Sequence, residues 1–182
     1  TAVGKDAGLS VTTGVQNVLI GGLAGDSLTD ADENVALGHA ALRTDTLGSR
    51  SIAIGHAALE TQNFTSATNT YNVAVGHRAG VAVTTGVENT LIGGLAGDAI
   101  TTGVNNTAVG KGALSANTTA SSNTAVGRNA LLTNTTGTNN VAVGYASLDA
   151  STTASNNTAL GYNAGTAVTT GANNVVMGAN AF

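Results

Sequence analysis

Three histidines, His39, His56 and His77, occupy one column of a sequence that repeats itself. On adjacent β-strands they would lie about 4.8 Å apart. That is close enough for imidazoles to share a transition metal or to act together as a pH sensor. The same column elsewhere holds Lys5, Gly22, Lys111, Arg128, Tyr145 and Tyr162, so the competing reading is a run of exposed turn residues. Tyr145 and Tyr162 are candidates to stack on the sugar rings of a surface glycan. So are Phe64 and Tyr71, which sit in the one irregular segment, because binding residues concentrate on loops held by rigid scaffolds.

Other chemistry is thinly represented. GGLAGD, at Gly21–Asp26 and Gly93–Asp98, brushes a calcium-binding repeat, but the two copies are not in tandem. Asp30, Asp32 and Glu33 cluster in a turn, where solvated charge is the expected role, and the remaining acids are scattered, unlike the carboxylate pair of a glycosidase. There is no GxSxG, no Cys, and no His beside a Ser and an Asp. No enzyme activity and no cofactor are expected. A net charge of −4 argues against nucleic acid, since phosphate binding needs a Lys/Arg surplus. No apolar run approaches the roughly 18 residues of a membrane span.

The elements that position these residues are copies of one phrase, seen most plainly in Asn106–Leu114, NTAVGKGAL. Its glycines are Gly4, Gly21, Gly38, Gly55, Gly76, Gly93, Gly110, Gly127, Gly144, Gly161 and Gly178, spaced by 17 residues except across Gly55–Gly76. So short and fixed a period predicts a solenoid whose coils cannot bury an apolar face alone. Hydrophobic residues make up 42% and hold register, which excludes disorder. Aromatics are only 3%, so the core must be thin.

Each column of the repeat becomes a line along the solenoid. The Asn column runs through Asn17, Asn34, Asn72, Asn89, Asn106, Asn123, Asn140, Asn157 and Asn174, with Ser51 the one exception. Stacked amides of this kind form hydrogen-bonded ladders. The three residues that follow read as a strand, Val, Thr or Ile in the first column and apolar throughout the second and third. Its third column (Ile20, Leu37, Ile54, Val75 and their equivalents) is expected to face the interior. Its middle column, mostly small, is then expected to face outward. The alanines Ala36, Ala53, Ala74, Ala108, Ala125, Ala142 and Ala159 thus become candidates for close packing against another chain.

Further along the coil, two columns compensate. Gly8, Gly25, Gly80, Gly97 and Gly165 are each followed three residues later by Val11, Leu28, Val83, Ile100 and Val168. Leu42, Leu59, Leu114, Leu131 and Leu148 are followed instead by Asp45, Gln62, Asn117, Asn134 and Ser151. Two positions filling one space explain the rule, since filling both overpacks and filling neither leaves a cavity. A Thr column follows (Thr12, Thr29, Thr46, Thr84, Thr101, Thr118, Thr135, Thr152, Thr169), regular enough to suggest ice binding as a lesser alternative. Each coil is expected to hold two short strands and two turns. The chain forms one repeat domain over 1–182: coils over 1–59, an insertion loop over 60–71, and coils over 72–182. VQNVLIGGLAGDSLT (Val15–Thr29) recurs as VENTLIGGLAGDAIT (Val87–Thr101), which implies block duplication.

The phrase N-[TV]-A-[VIL]-G-x-x-A-L with N-T-T-G-x-x-N resembles bacteriophage tail-fibre repeats. It is also similar to the head repeats of YadA-like trimeric autotransporter adhesins. The resemblance spans the whole chain. It implies a left-handed parallel β-roll, a homotrimer about one axis, and an extracellular place on a virion or bacterial surface. The sequence alone leaves a second architecture open. The chain opens in mid-phrase and closes on half a coil, as a fragment or processed product would. Bare β edges at both ends would also suit a self-assembling filament that stacks end to end.

Overall fold

A computed structural model describes all residues 1–182 and shows an all-β parallel solenoid of about ten 17-residue turns, with no helix. Its spine is one eleven-stranded parallel sheet. In spatial order the strands are β1 (Ala2–Val3), β2 (Val18–Ile20), β3 (Val35–Leu37), β5 (Ile52–Ile54), β7 (Val73–Val75), β8 (Thr90–Ile92), β9 (Thr107–Val109), β10 (Thr124–Val126), β11 (Val141–Val143), β12 (Thr158–Leu160) and β13 (Val175–Met177). A side pair, β4 (Gly48–Ser49) and β6 (Thr68–Asn69), forms only at the insertion. Register follows the columns, as in Thr107↔Thr124, Ala108↔Ala125 and Val109↔Val126. Eleven strands make a rod about 50 Å long.

Apart from β4 and β6, only one strand forms per coil. The far side, expected as a second strand, is a chain of turns. Leu42, Leu59, Leu114, Leu131 and Leu148 have φ of 50–54° there, a left-handed conformation no strand can hold. Those turns still bond to the coils on either side: Leu114 N–H donates to Ala130 O at 3.1 Å, and Gly97 N–H to Ala113 O at 2.9 Å. The phrase glycine is required twice over. Gly110 has φ +133°, and a Cβ there would stand 2.6 Å from the carbonyl carbon and oxygen of Gly127.

The core lies inside the coil and is built from the middle strand column, the Ala column after the glycine, and the compensating pair. This overturns the expected strand orientation. Ala36, Ala53, Ala74, Ala108, Ala125, Ala142 and Ala159 are fully buried within their own chain and cannot be an interface. The reason is volume. With leucine or isoleucine entering from the far wall, the strand has room for little more than a methyl. Leu19 and Leu91 are the larger exceptions, and each lies over two glycines. Cβ atoms added at Gly80 and Gly97 would come within 2.7 Å of Leu91 Cδ atoms.

The compensation rule holds in space. A Cβ at Gly97 would meet Ile100 Cδ1 at 2.8 Å, and one at Gly25 would meet Leu28 Cδ1 at 2.8 Å. In leucine coils the polar partner is buried, and Asp45, Asn117 and Asn134 turn back on the backbone three residues on. Asn117 accepts from Ala120 N–H at 3.0 Å and donates to Ala120 O at 3.2 Å.

The Asn ladder runs inside the wall and is interrupted only at Ser51. Asn106 Oδ1 accepts the backbone N–H of Asn123 at 3.1 Å, while Asn106 Nδ2 donates to Ala120 O at 2.9 Å and Asn89 Oδ1 at 3.1 Å. Asn89, Asn123, Asn140 and Asn157 repeat the geometry and, with Asn72, are fully buried; Asn174, at the end of the ladder, donates only back to Asn157 Oδ1. The Thr column forms a second ladder. Thr101 Oγ1 donates to Thr118 O, Thr118 Oγ1 to Thr135 O, and Thr135 Oγ1 to Thr152 O at 3.1–3.4 Å. Hydroxyls committed in this way leave the column without the free donors that an ice-binding face would present.

Candidate functional surface

The outward columns of the sheet are mostly apolar, with threonine their only polar residue, where a lone solenoid would put polar residues. The first column presents Val18, Val35, Ile52, Val73, Thr90, Thr107, Thr124, Val141, Thr158 and Val175. The third presents Ile20, Leu37, Ile54, Val75, Ile92, Val109, Val126, Val143, Leu160 and Met177. Every one of these side chains is exposed or half-buried. Two flat columns over eleven strands amount to on the order of 500 Å² of apolar surface, the upper end of what a monomer leaves bare. Residue volume was the signal that pointed to this face. The larger side chains stand outside and the smaller inside, the reverse of the hydropathy-led expectation.

The edge where the chain leaves each strand carries the histidines. All three are exposed. Their rings are stacked, with centroids 5.5 Å apart for His39–His56 and 5.3 Å for His56–His77, and planes within 12°. Imidazole lone pairs lie in the ring plane, so parallel rings aim them side by side rather than at one point. The arrangement is a stack, not a chelating cluster.

The stack continues in kind further up the rod. Tyr145 and Tyr162 lie 5.3 Å apart at 13°, and the Arg128 guanidinium lies 5.6 Å from the Tyr145 ring centroid. Both tyrosines are exposed, at 40% and 54%. Both faces of Tyr145 are thereby covered, by Arg128 and by Tyr162, so it has no open face for a sugar. The outer face of Tyr162, towards the Ala179 coil, is the open one.

Phe64 is only 8% exposed, which removes it as a receptor contact. Its N–H donates to Asp45 Oδ1 at 3.0 Å and its carbonyl accepts from Leu47 N–H at 3.2 Å. The insertion therefore folds back on the wall, and its extra residues project at Thr65–Ala67, all exposed. Tyr71 is 50% exposed. It closes a surface cluster in which Arg50 Nη1 donates to Tyr71 Oη at 3.0 Å and Arg50 Nε to Glu33 Oε2 at 3.0 Å. The hydrogen bond to Glu33, then that to Tyr71, hold the Arg50 guanidinium above its usual range. Phe64, Tyr71, Tyr145 and Tyr162 are thus not brought together into one site.

Charge is sorted between the two edges of the sheet. The edge where the chain enters the strands carries Asp30, Asp32, Glu33 and Glu88, with Arg50 as its cation. The exit edge carries Lys5, Arg78, Lys111, Arg128 and the histidines, with Asp6 as its acid. Lys5 and Asp6 pair at 3.8 Å, and Arg50 pairs with Glu33. Glu88, Arg78 and Lys111 make no ion pair within the chain.

No known protein family, no curated protein and no solved structure matches the chain. The fold is a β-solenoid, one compatible with a structural, fibre-like protein.

Proposed function

We propose that this chain is a non-catalytic structural segment, a stiff rod at a virus or cell surface, assembled from several copies that bury the outward sheet face against one another. The observation that carries the reading is that face: an unbroken aliphatic or Met third column beside a first column of Val, Ile and Thr, along the whole rod. Water is a poor solvent for so long a flat stripe, and a second copy of the same straight, twist-matched surface is the partner whose length fits it. The resemblance to tail-fibre and adhesin-head repeats supports three copies and an extracellular place. Rigidity follows from the ladders, since the coils are bonded to one another through backbone throughout and through Asn amides and Thr hydroxyls everywhere but at the insertion. A rod of this kind projects a binding tip or carries weak surface contacts many times over, and the open face of Tyr162 is the place on it for a sugar ring.

Light scattering in dilute solution tests the reading. Particles three times 17.6 kDa are expected for the wild type, and Ile92→Asp on the outward face of β8 should return them to single chains that melt like the parent coil. Single wild-type chains at all concentrations would refute the assembly. Rods that lengthen with concentration and ignore Ile92→Asp would instead favour end-to-end stacking.

A further inference from the structure

The two edges of the sheet carry opposite charge, and that fixes how copies can lie against one another. This inference rests on the reading that copies bury the sheet face. Glu88 immediately precedes the Asn89 that opens β8, on the entry edge. Arg78 follows β7 and Lys111 follows β9, on the exit edge. Since β7, β8 and β9 are neighbours, Glu88 stands at a height between the two cations, about one strand spacing from each. Asp32 and Glu33 stand at β3, level with His39 on the opposite edge and one strand from His56.

Two packings would cover the apolar face. If the copies are related by rotation about an axis along the rod, they run parallel, and the entry edge of each meets the exit edge of the next. Glu88 then faces Arg78 and Lys111, and Asp32 and Glu33 face His39 and His56. If the copies run antiparallel, like edges meet. Because β8 is the sixth of eleven strands, Glu88 would face Glu88 at the centre of the rod. Like charges set opposite each other at an interface are strongly unfavourable, whereas complementary ones fix register. Glu88, Arg78 and Lys111 are exposed and unpaired within the chain, and the cation-rich exit edge would otherwise go uncompensated in a net acidic protein.

We infer that copies of this chain associate side by side, parallel and in register, with the acidic edge of each, through Glu88, paired to the basic edge of the next, through Arg78 and Lys111. All chains of one particle then point the same way.

The chain has no Cys, so cysteines can be placed at will. With a short bismaleimide, the double variant Glu88→Cys, Lys111→Cys should cross-link between chains, and the last rung of the ladder should report the number of copies. Neither single variant should cross-link. Cross-linking by Glu88→Cys alone would mean antiparallel packing and overturn the inference. An oligomer in which no variant cross-links would overturn the edge pairing while leaving burial of the sheet face standing. A wild type that is monomeric throughout would overturn both. Charge reversal gives an independent readout. Glu88→Lys should weaken association about tenfold or more, and adding Lys111→Glu should restore it. A reversal that changes nothing, or a double variant no better than the single, would overturn the pairing. A cation is tolerated at position 88, because Arg50 holds the same left-handed backbone in its own coil, φ 64° against 59°.

Discussion

Gln62 Nε2 donates to Ser51 Oγ at 2.8 Å and to Asp45 Oδ2 at 2.6 Å, while Gln62 Oε1 accepts from Asn72 Nδ2 at 2.8 Å. Ser51 is the one break in the Asn ladder, and Gln62, reaching in from the opposite wall, supplies the amide that the column lacks there. All four side chains are fully buried. Gln62→Leu should therefore cost about 2–4 kcal/mol in chemical denaturation, because it strips donors from a buried carboxylate and a buried hydroxyl. A loss below about 1 kcal/mol would show that the ladder tolerates the gap unaided.

Elsewhere the ladder has no such substitute. Asn106→Ala should cost about 2–4 kcal/mol, leaving the N–H of Asn123 and the backbone bonded by the Asn106 amide short of partners. A melt indistinguishable from that of an exposed control such as Thr119→Ala would overturn this account.

The shared space of the compensating columns is tested by a cycle. Leu114→Gly should cost about 2–3 kcal/mol, the cavity term offset in part by relief of the left-handed leucine. Adding Asn117→Val should recover most of it. Recovery will be incomplete, because the valine cannot accept from Ala120 N–H. Simple additivity of the two changes in thermal melts would refute the idea of one shared volume.

Orientation of the strand is tested by neighbours of opposite facing. Ala108→Leu points inward at Leu114 and should cost about 1–3 kcal/mol by overpacking. Val109→Thr points outward and should leave the single coil's stability within about 0.5 kcal/mol. The reverse order would put the core on the other side of the sheet.

Much of this fold is legible in the columns. The period locates every strand, the Asn column announces its ladder, and Gly97 with Ile100 against Leu114 with Asn117 reveals that two walls share one volume. The facing of the strand is harder to read. Of Thr107, Ala108 and Val109 only Thr107 is polar, and its column turns to Val or Ile in other coils, so alternation gives only a weak sign. Hydropathy then favours Val109 for the core, and only the narrowness of the coil reverses it. The far wall misled for a different reason. Leucine is a poor left-handed residue, and nothing local to Leu114 announces φ 54°; the glycines in the same column are the one hint. Of the candidate surface residues, Tyr71, Tyr145 and Tyr162 are exposed. Phe64 is buried, and nothing local to it announces that its backbone is held by Asp45, nineteen residues away.

The recurrence of Val15–Thr29 at Val87–Thr101 takes on a genetic meaning once the ladders are seen. Misaligned recombination between two copies of the phrase inserts or deletes whole coils, and every new junction presents the same Asn, Gly and Thr columns as the old ones. Length is then a heritable variable that changes in steps of about 4.8 Å per coil, with no redesign of the core. An insertion out of step with seventeen would throw the next Asn off its ladder. The bulge at Thr65–Ala67 shows how such an error is absorbed: the surplus residues are pushed out of the wall, a glutamine reaches across to repair the break at Ser51, and the count resumes at Asn72.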